Sequence, residues 1–434
     1  MSPFLIKTLQ LILSFSILIF VHELGHYLFA RLFKIRVDKF YLFFDWGFSL
    51  FKYKPKGSDT EFGIGWLPLG GYCKIAGMVD ESMDTEQLSK PAEPWEFRSK
   101  PAWQRLLVMA GGVIFNIILA VVIYTGLAFN YGDDLLPMSS VGHNIAYSSV
   151  GHDMGLKDGD MLLAVDGTQL EYYDNTLLRK IVDGKVLTVD RDGVKQDIEI
   201  PVDLMQAVIA SNKPFSTLSL PAIIENVIPD SEASKTDLKS GDKILEVNGA
   251  AQDLQGFVSA MEAHRGDSVE LLVDRNGEKI SISAMVNSEN KLGVSLVRPT
   301  IHISYSLLES VPVGLKKMYT TLSSYASSLK YLFTKEGASQ IGGLGSIGSL
   351  FPESFNWMNF WSLTALISII LAVMNILPIP ALDGGHIVFL LYEIITRKTP
   401  SIKVLERAQI FGLVLLFGLM LYANINDIIK FFFR

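Results

Sequence analysis

The sequence predicts a polytopic α-helical membrane protein with about four transmembrane helices and two inserted β-rich domains. Of its 434 residues, 49% are hydrophobic and only 19% are charged, and the mean hydropathy is +0.31. A soluble globular protein has about 25% charged residues. Four apolar stretches approach the ~20 residues that a bilayer-spanning helix needs, and an internal repeat lies between the second and the third.

The composition also excludes several classes of protein. The abundance of apolar residues excludes a disordered chain. The single cysteine, Cys73, cannot close an internal disulfide or build a cysteine-based zinc site. The net charge of −7 argues against a nucleic-acid partner. Residues 127–355 hold 19 Lys and Arg against 30 Asp and Glu, so the negative charge is concentrated in the insert.

The apolar stretches define an N-terminal membrane part, residues 1–129, and a C-terminal membrane part, residues 357–434. They run from about Phe4 to Ala30, Leu106 to Phe129, Trp357 to Ile379 and Ala408 to Ile425. Lys and Arg follow the first stretch, precede the second and separate the third from the fourth. Positively charged flanks are usually cytoplasmic. We therefore expect both termini and the acidic insert on the opposite face of the membrane.

The acidic insert contains a repeat. GLKDGDMLLAVDG at 155–167 and DLKSGDKILEVNG at 237–249 agree at seven of 13 positions. Further on, VDRDGVK at 189–195 matches VDRNGEK at 273–279, and the Asp-Gly and Asn-Gly pairs predict hairpin turns. The repeat predicts two β-rich domains, at residues 138–203 and 219–298. Both resemble PDZ domains, which bind a peptide or a C-terminus at a sheet edge; a spacer that binds nothing is the open alternative.

Residues 305–350 combine an amphipathic helix with a glycine-rich segment. Apolar side chains recur at spacings of three and four at Leu315, Met318, Leu322, Tyr325, Leu329 and Leu332. Lysines and serines make this helix too polar to span a bilayer. We expect it to lie on the outer membrane face, with packing on the second β-rich domain as the alternative. The sequence IGGLGSIG at 341–348 predicts a flexible lead into the third stretch.

The first apolar stretch contains an H-E-x-x-H motif, His22-Glu23-Leu24-Gly25-His26. Residues four apart share a helix face, so both imidazoles can reach one metal ion, and Glu23 can act as a general base. Ionisable residues in a hydrophobic stretch are costly unless they are partnered or face a cavity, which indicates a functional site. The alternative is a buried polar cluster that holds helices together.

Two histidines leave a zinc ion short of ligands, since a catalytic zinc usually has three from the protein. The third stretch ends in NILPIPALDGGH, residues 375–386, where Pro378 and Pro380 break the helix. Irregular backbone at membrane depth is tolerated only where it is buried in protein or lines a wet cavity. Asp383 can supply an oxygen ligand in this break, and His386 is a competing candidate for the third ligand.

The H-E-x-x-H motif, paired with N-x-x-P-x-P-x-L-D-G at 375–384, resembles the site-2 protease family of intramembrane zinc metalloproteases. The resemblance implies that His22, His26 and Asp383 bind Zn²⁺ and that Glu23 is the general base and proton shuttle. It implies hydrolysis of peptide bonds within transmembrane segments. The tandem PDZ-like insert points to a bacterial inner-membrane member of the family, with the PDZ-like domains on the periplasmic side.

The resemblance extends to two further segments. Gly112 and Asn116 match a G-x-x-x-N pattern in the second span, and residues 61–75 resemble the family's membrane-associated β-loop. The resemblance implies that Asn375, Asn116, Gly70 and Gly71 contact the substrate. For Asn116, pure helix packing is an equal alternative. The lone Cys73 of the β-loop is expected to be a filler.

The expected partners are single-span membrane proteins, such as an anti-sigma factor already trimmed by another protease, together with remnant signal peptides and the lipid bilayer. The alternative function is a membrane-anchored PDZ receptor whose metal site is merely structural.

Overall fold

The computed structural model describes residues 2–68, 70–78, 91–287, 292–334, 337 and 341–433. The chain forms two compact units, Met1–Gly132 with Ser304–Arg434, and Asp133–Ile303. In the described part of the chain, four helical segments are long and apolar enough to cross a membrane. They are Pro3–Leu32, Ala102–Tyr131, Trp357–Ile376 and Lys403–Lys430. The prediction of a polytopic helical membrane protein with inserted β-structure is therefore confirmed.

The N-terminal part of the first unit consists of two spans and a sheet. The elements are α1 (Pro3–Leu32), β1 (Val37–Leu42), β2 (Phe44–Tyr53), β3 (Glu61–Leu67), β4 (Tyr72–Ile75) and α2 (Ala102–Tyr131). Helix α1 begins with a proline in its first turn and a Ser2 side chain that accepts a hydrogen bond from the N–H of Leu5. The strand order is β2-β3-β1-β4, so the predicted β-loop at 61–75 supplies two strands of a four-stranded sheet, the inner strand β3 and the edge strand β4.

Helices α1 and α2 touch backbone to backbone. A Cβ atom at Gly25 would lie 2.2 Å from the carbonyl oxygen of Gly111, and one at Gly111 would lie 2.7 Å from the carbonyl oxygen of Gly25. Small residues allow such close approach between spanning helices. This crossing brings the histidine motif of α1 directly against α2.

The second unit contains two apolar cores. Its first half consists of β5 (Asp133–Leu135), α3 (Met138–Val141), β6 (Ile145–Tyr147), α4 (Ser149–Asp153), β7 (Met161–Val165), β8 (Thr168–Gln169), α5 (Leu177–Val182), β9 (Val186–Arg191), β10 (Val194–Glu199), α6 (Leu204–Ser211) and β11 (Ser216–Leu218). Leu162, Leu187 and Val189 are buried in its core, which also includes Leu204 and Phe215. The first core thus continues past residue 203.

The second half of this unit repeats the pattern. It consists of β12 (Ala222–Val227), β13 (Lys243–Val247), β14 (Ala250–Ala251), α7 (Leu254–Ala263), β15 (Ser268–Arg275), β16 (Glu278–Met285), β17 (Val294–Leu296) and β18 (Ile301–Ile303). Strands β9 and β10 form a hairpin, as do β15 and β16. The turn residues Asp192, Gly193, Asn276 and Gly277 all have positive φ, as a type I′ turn requires. Both predicted hairpins are confirmed.

The C-terminal part of the first unit is helical. It consists of α8 (Leu307–Ser328), α9 (Leu344–Ser349), α10 (Trp357–Ile376), α11 (Asp383–Thr396) and α12 (Ile402–Phe433). A capping box between Ser306 and Glu309 begins α8. The apolar stripe of α8 packs on α2 and α10, where Met318, Leu322 and Tyr325 contact a core around Ala120. The amphipathic stripe is confirmed, and the structure packs it against the spanning helices α2 and α10.

The glycine-rich segment is ordered differently from its prediction. Residues Leu344–Ser349 form helix α9. The carboxylate of Asp427 in α12 accepts hydrogen bonds from the backbone N–H groups of Gly343 at 3.0 Å and Ser346 at 2.8 Å. The expectation of a flexible lead is therefore wrong over these residues, because a side chain from the fourth span caps the start of α9.

Candidate active site

The two histidines of the motif lie on one face of α1. Their Nε2 atoms are 3.3 Å apart, and their rings meet edge to face with centroids 4.9 Å apart. The spacing of four residues explains this geometry, since positions i and i+4 are neighbours on a helix surface. Both Nε2 atoms point towards the same small volume.

Asp383 reaches that volume from the other end of the chain. It is the first residue of α11 and follows a segment in which Pro378 and Pro380 end α10 and Ala381 has a φ of 77°. Its Oδ2 atom lies 3.3 Å from Nε2 of His22 and 3.4 Å from Nε2 of His26.

The structure therefore brings together three of the predicted ligands. In the described part of the chain, His22, His26 and Asp383 are the group of His, Cys, Asp and Glu side chains able to hold a metal ion, with ligand atoms within 4.8 Å of one another. His386, the competing candidate, does not belong to this group.

The spacing of these three atoms fits a zinc ion. Ligand atoms of a tetrahedral zinc site lie roughly 3.3 Å apart when each bond is about 2.0–2.1 Å long. The three distances here are 3.3, 3.3 and 3.4 Å. The Oδ2 atom of Asp383 is also buried without a hydrogen-bond partner among the described residues, although buried polar atoms are normally satisfied. Two imidazole nitrogens and one carboxylate oxygen form a typical donor set for zinc.

Helix α2 contacts the Nδ1 atoms of both imidazoles. The Nδ1 atom of His26 lies 2.9 Å from the carbonyl oxygen of Val108, and Nδ1 of His22 lies 3.2 Å from the side-chain amide of Asn116. A hydrogen bond from Nδ1–H to a carbonyl leaves Nε2 with a free lone pair that can bind a metal. For His22 in the same tautomer, a half-turn of the Asn116 amide presents its oxygen to Nδ1–H.

Asn116, one of the predicted substrate contacts, lies in the packing between helices. Its side chain is completely buried, and its backbone carbonyl oxygen accepts a hydrogen bond of 2.7 Å from the hydroxyl of Ser368 in α10. Asn116 contacts the imidazole of His22. This placement agrees with the helix-packing alternative, and a contact of Asn116 with substrate stays a prediction.

Gly112 has a role at the site that sequence reasoning missed. A Cβ atom there would lie 2.4 Å from Cε1 of His22 and 2.6 Å from Nε2 of His26. Only glycine leaves room for both rings at this point of α2. The G-x-x-x-N spacing was the available signal, but it indicated tight packing without showing that the imidazoles are what Gly112 accommodates.

The sheet borders Glu23. The backbone N–H of Cys73 in β4 donates a hydrogen bond to the Glu23 carboxylate, and a Cβ atom at Gly71 would lie 3.5 Å from Cγ of Glu23. Gly70 instead faces the ring of Phe44, at 2.7 Å from a hypothetical Cβ. Burial, with the nearby Glu23 charge, raises the pKa of the Cys73 thiol, so Cys73 is not a thiolate nucleophile.

Asn375, the remaining predicted residue, lies at the same site. Its amide nitrogen is 3.4 Å from Nε2 of His22. It is carried by the last turn of α10, just before the prolines. The structure thus places Asn375 at Nε2 of His22, whereas Asn116 contacts Nδ1 of the same ring.

Comparison with known proteins identifies the family. The sequence profile of peptidase family M50 matches residues 10–419. The chain belongs to peptidase family M50. As a member of the family it is an intramembrane zinc metalloprotease, which confirms the predicted enzyme class and the predicted Zn²⁺.

Three relatives cover nearly the whole chain. The regulator of sigma-E protease of Escherichia coli strain K12 is 29% identical over 98% of this chain and 99% of that protein. The regulator of sigma E protease of Haemophilus influenzae is 28% identical over 96% of this chain and 98% of that protein. A Vibrio cholerae protein with the words zinc metalloprotease in its name is 27% identical over 98% of this chain and 99% of that protein.

Proposed function

We propose that His22, His26 and Asp383 hold the catalytic zinc ion of this M50 protease and that Glu23 is the general base. The observation that carries the proposal is the convergence of the two Nε2 atoms and the Asp383 Oδ2 atom at 3.3–3.4 Å from one another. A zinc ion bound there supplies a Lewis acid that polarises a peptide carbonyl and makes water more acidic.

The protein's own groups then manage the proton and the geometry. Glu23 takes a proton from the attacking water as the new C–O bond forms, and returns it to the leaving nitrogen as the C–N bond breaks. The N–H of Cys73 holds the Glu23 carboxylate in place. Val108 and Asn116 keep the imidazoles in the tautomer that the metal requires.

We further propose that the substrate binds as an extended strand beside β4. In the described sheet β4 pairs with β1 and is an edge strand, and an edge strand is a template for another strand. A helical substrate must unwind locally, because its backbone groups are otherwise bonded within the helix. Gly71 beside Glu23 and Asn375 beside His22 are the proposed contacts; a contact from Gly70 stays a prediction.

The two β-rich domains are proposed to be PDZ domains on the periplasmic side of a bacterial inner membrane. Support comes from the repeated sequence pattern, the two separate cores and the basic flanks on the opposite ends of the spans. Two relatives are named regulator of sigma E protease, and a single-span anti-sigma factor is the proposed substrate. Remnant signal peptides are a second proposed substrate class.

The test of the site is Glu23→Gln in the full chain. We expect the variant to retain zinc and to cleave a single-span substrate at least about 10²–10⁴-fold more slowly, because the general base is lost. Zinc content is measured by metal analysis and cleavage in proteoliposomes. The control is His143→Ala, which removes a histidine from the first β-rich domain. Cleavage by Glu23→Gln at the wild-type rate contradicts the assignment, and zinc binding without any cleavage by the wild type supports the alternative receptor.

A further inference from the structure

We infer that Arg105 and Glu393 are positioning residues that set the direction of α11 and thereby hold Asp383 at the zinc site. The inference rests on the proposed function, because it takes Asp383 as a ligand. An Nη2 atom of Arg105 contacts Oε1 of Glu393, and the two side chains are only 13% and 16% exposed. Arg105 lies at the beginning of α2 and Glu393 near the end of α11.

Arg105 is held in place by residues that precede α2. Its Nε donates a hydrogen bond of 2.9 Å to the carbonyl oxygen of Lys100, and its guanidinium lies 5.9 Å from the centre of the Phe97 ring. The side chain therefore has a fixed direction before α11 contacts it. One turn away, Leu390 of α11 is buried in the same apolar core as Val108 of α2, the residue whose carbonyl bonds to His26.

The start of α11 is crowded but carries no cap of its own. Leu382 at the N-cap makes no side-chain hydrogen bond to the helix. A Cβ atom at Gly384 would lie 2.1 Å from the carbonyl oxygen of Leu377, and one at Gly385 would lie 2.7 Å from that of Ile379. These contacts set the position of the first turn of α11 next to the break. The direction of the helix axis is then set by contacts near its other end.

Asp383 lies far enough from Glu393 along α11 that a small rotation of the helix displaces it noticeably. Asp383 and Glu393 are ten residues apart, or about 15 Å along the helix axis. A swing of about 10° around Leu390 displaces Asp383 by roughly 2 Å. A zinc ligand must lie within about 0.2 Å of its proper distance. A small reorientation of α11 is therefore sufficient to weaken the site.

The charge of Glu393 also needs an explanation. It stands in FLLYEII, within a helix whose only other acidic residue is Asp383. Two apolar residues of similar volume usually stabilise such a contact as well as a buried ion pair does. A bond between a guanidinium and a carboxylate, however, has a required direction. Orientation of α11 is thus a better account of this pair than stability alone.

The experiment measures zinc affinity in the purified, detergent-solubilised full chain after metal removal, by competition between the protein and a chelator. Glu393→Gln and Arg105→Met are expected to raise the zinc dissociation constant by about 10–100-fold, as loss of a supporting contact does. Arg105→Lys retains the charge and is expected to retain most of the affinity. At saturating zinc, both kcat and KM of Glu393→Gln return towards the wild-type values.

The matched control is Asp160→Asn, which removes the buried carboxylate that pairs with Arg191 in the other unit. It is expected to leave the zinc dissociation constant unchanged. If Glu393→Gln lowers the melting temperature but binds zinc like the wild type, the inference is overturned and the pair is structural. If Glu393→Gln fails to fold, the decision passes to Arg105→Met and to the exchange Arg105→Glu with Glu393→Arg. Weaker zinc binding by Arg105→Met that the exchange restores supports the inference, and wild-type zinc affinity of Arg105→Met overturns it. Wild-type affinity that survives Asp383→Ala instead contradicts the proposed ligand set.

Discussion

At the scale of single residues, the site depends on glycines, which have no side chain, as much as on the side chains that can bind a metal. Gly112 gives the imidazoles of His22 and His26 their space, and Gly25 with Gly111 sets the helix crossing that brings them there. The H-E-x-x-H motif alone specifies that two histidines share a face. It does not specify the distance of the neighbouring helix, which these glycines determine.

We predict that Gly112→Ala lowers zinc affinity by at least about 10-fold, because the new methyl group overlaps both rings. Gly126→Ala on the same helix is the matched control, since nothing lies within 4 Å of a Cβ atom at that position. Both variants gain the same helix propensity. Equal zinc affinity of the two proteins, measured by chelator competition, would show that the rings can move aside.

At the scale of elements, the two β-rich halves repeat a buried ion pair. Asp160 lies 2.6 Å from Arg191 at the end of β9, and Asp242 lies 2.7 Å from Arg275 at the end of β15. Each aspartate also accepts the backbone N–H three residues before it. The identical residues of the sequence repeat, K-x-G-D and V-D-R, are thus the two ends of one contact.

These contacts shift the titration of both aspartates. Burial alone raises the pKa of Asp160, but the bonds from Arg191 and from the N–H of Lys157 outweigh it, so the pKa lies below its usual value; Asp242 behaves in the same way with Arg275. A lowered pKa means that the ionised group stabilises the folded domain above the unfolded-state value of about 3.9. That contribution is lost as the pH falls through the folded-state pKa.

We predict that Asp160→Asn lowers the stability of the first β-rich half by about 1.5–3 kcal/mol at neutral pH, and that the difference from wild type shrinks below about pH 4. Hydrogen exchange in β7 and β9 of the full chain measures it. Asp242→Asn serves as the internal control, with faster exchange in β13 and β15 only. A difference that stays constant down to the lowest accessible pH would contradict the role of the carboxylate charge.

Helix α8 shows the limit of periodicity at this scale. The spacing of its apolar residues correctly predicted an amphipathic helix, and the polarity correctly excluded a span. The same stripe fits a lipid surface, a β-domain or other helices equally well. Gly314 decides the matter in the structure, because a Cβ atom there would lie 2.7 Å from the backbone nitrogen of Thr125 in α2. The helix is therefore packed against the spans.

At the scale of the whole molecule, the chain enters and leaves the β-rich unit at one place. Strands β5 and β18 pair antiparallel, with Leu135 opposite Ile301 and Asp133 opposite Ile303. Residues 138–298 can therefore be removed and the ribbon closed with a short glycine linker. His22, His26 and Asp383, the proposed zinc ligands, all lie in the first unit.

We predict that deletion of 138–298 preserves zinc binding and the cleavage of a short single-span substrate, while substrates with a bulky outer domain become cleavable. The reason is the resemblance to the site-2 protease family, which implies that the two PDZ-like domains exclude substrates with bulky outer domains. The measurement compares cleavage of two substrates that share one transmembrane segment and differ only in the outer domain. Continued rejection of the bulky substrate by the deletion variant would place the selection elsewhere.

The sequence by itself determined the four spans, the histidine motif, the helix break before Asp383 and the repeated β-rich pattern. These features follow from local periodicity, turn chemistry and the cost of polar groups in an apolar helix, all of which act over a few residues. They identify chemical candidates, including the pairing of H-E-x-x-H with a remote aspartate.

Only the tertiary structure decided which candidates meet. His22 and Asp383 come together because α1, α2, α10 and α11 pack in one arrangement, and that packing depends on close contacts between residues far apart in the chain. The choice of Asp383 over His386, the place of Asn116 behind His22, and the contact of Arg105 with Glu393 all depend on it. No local pattern encodes such distances, because they arise from how whole helices fit against one another.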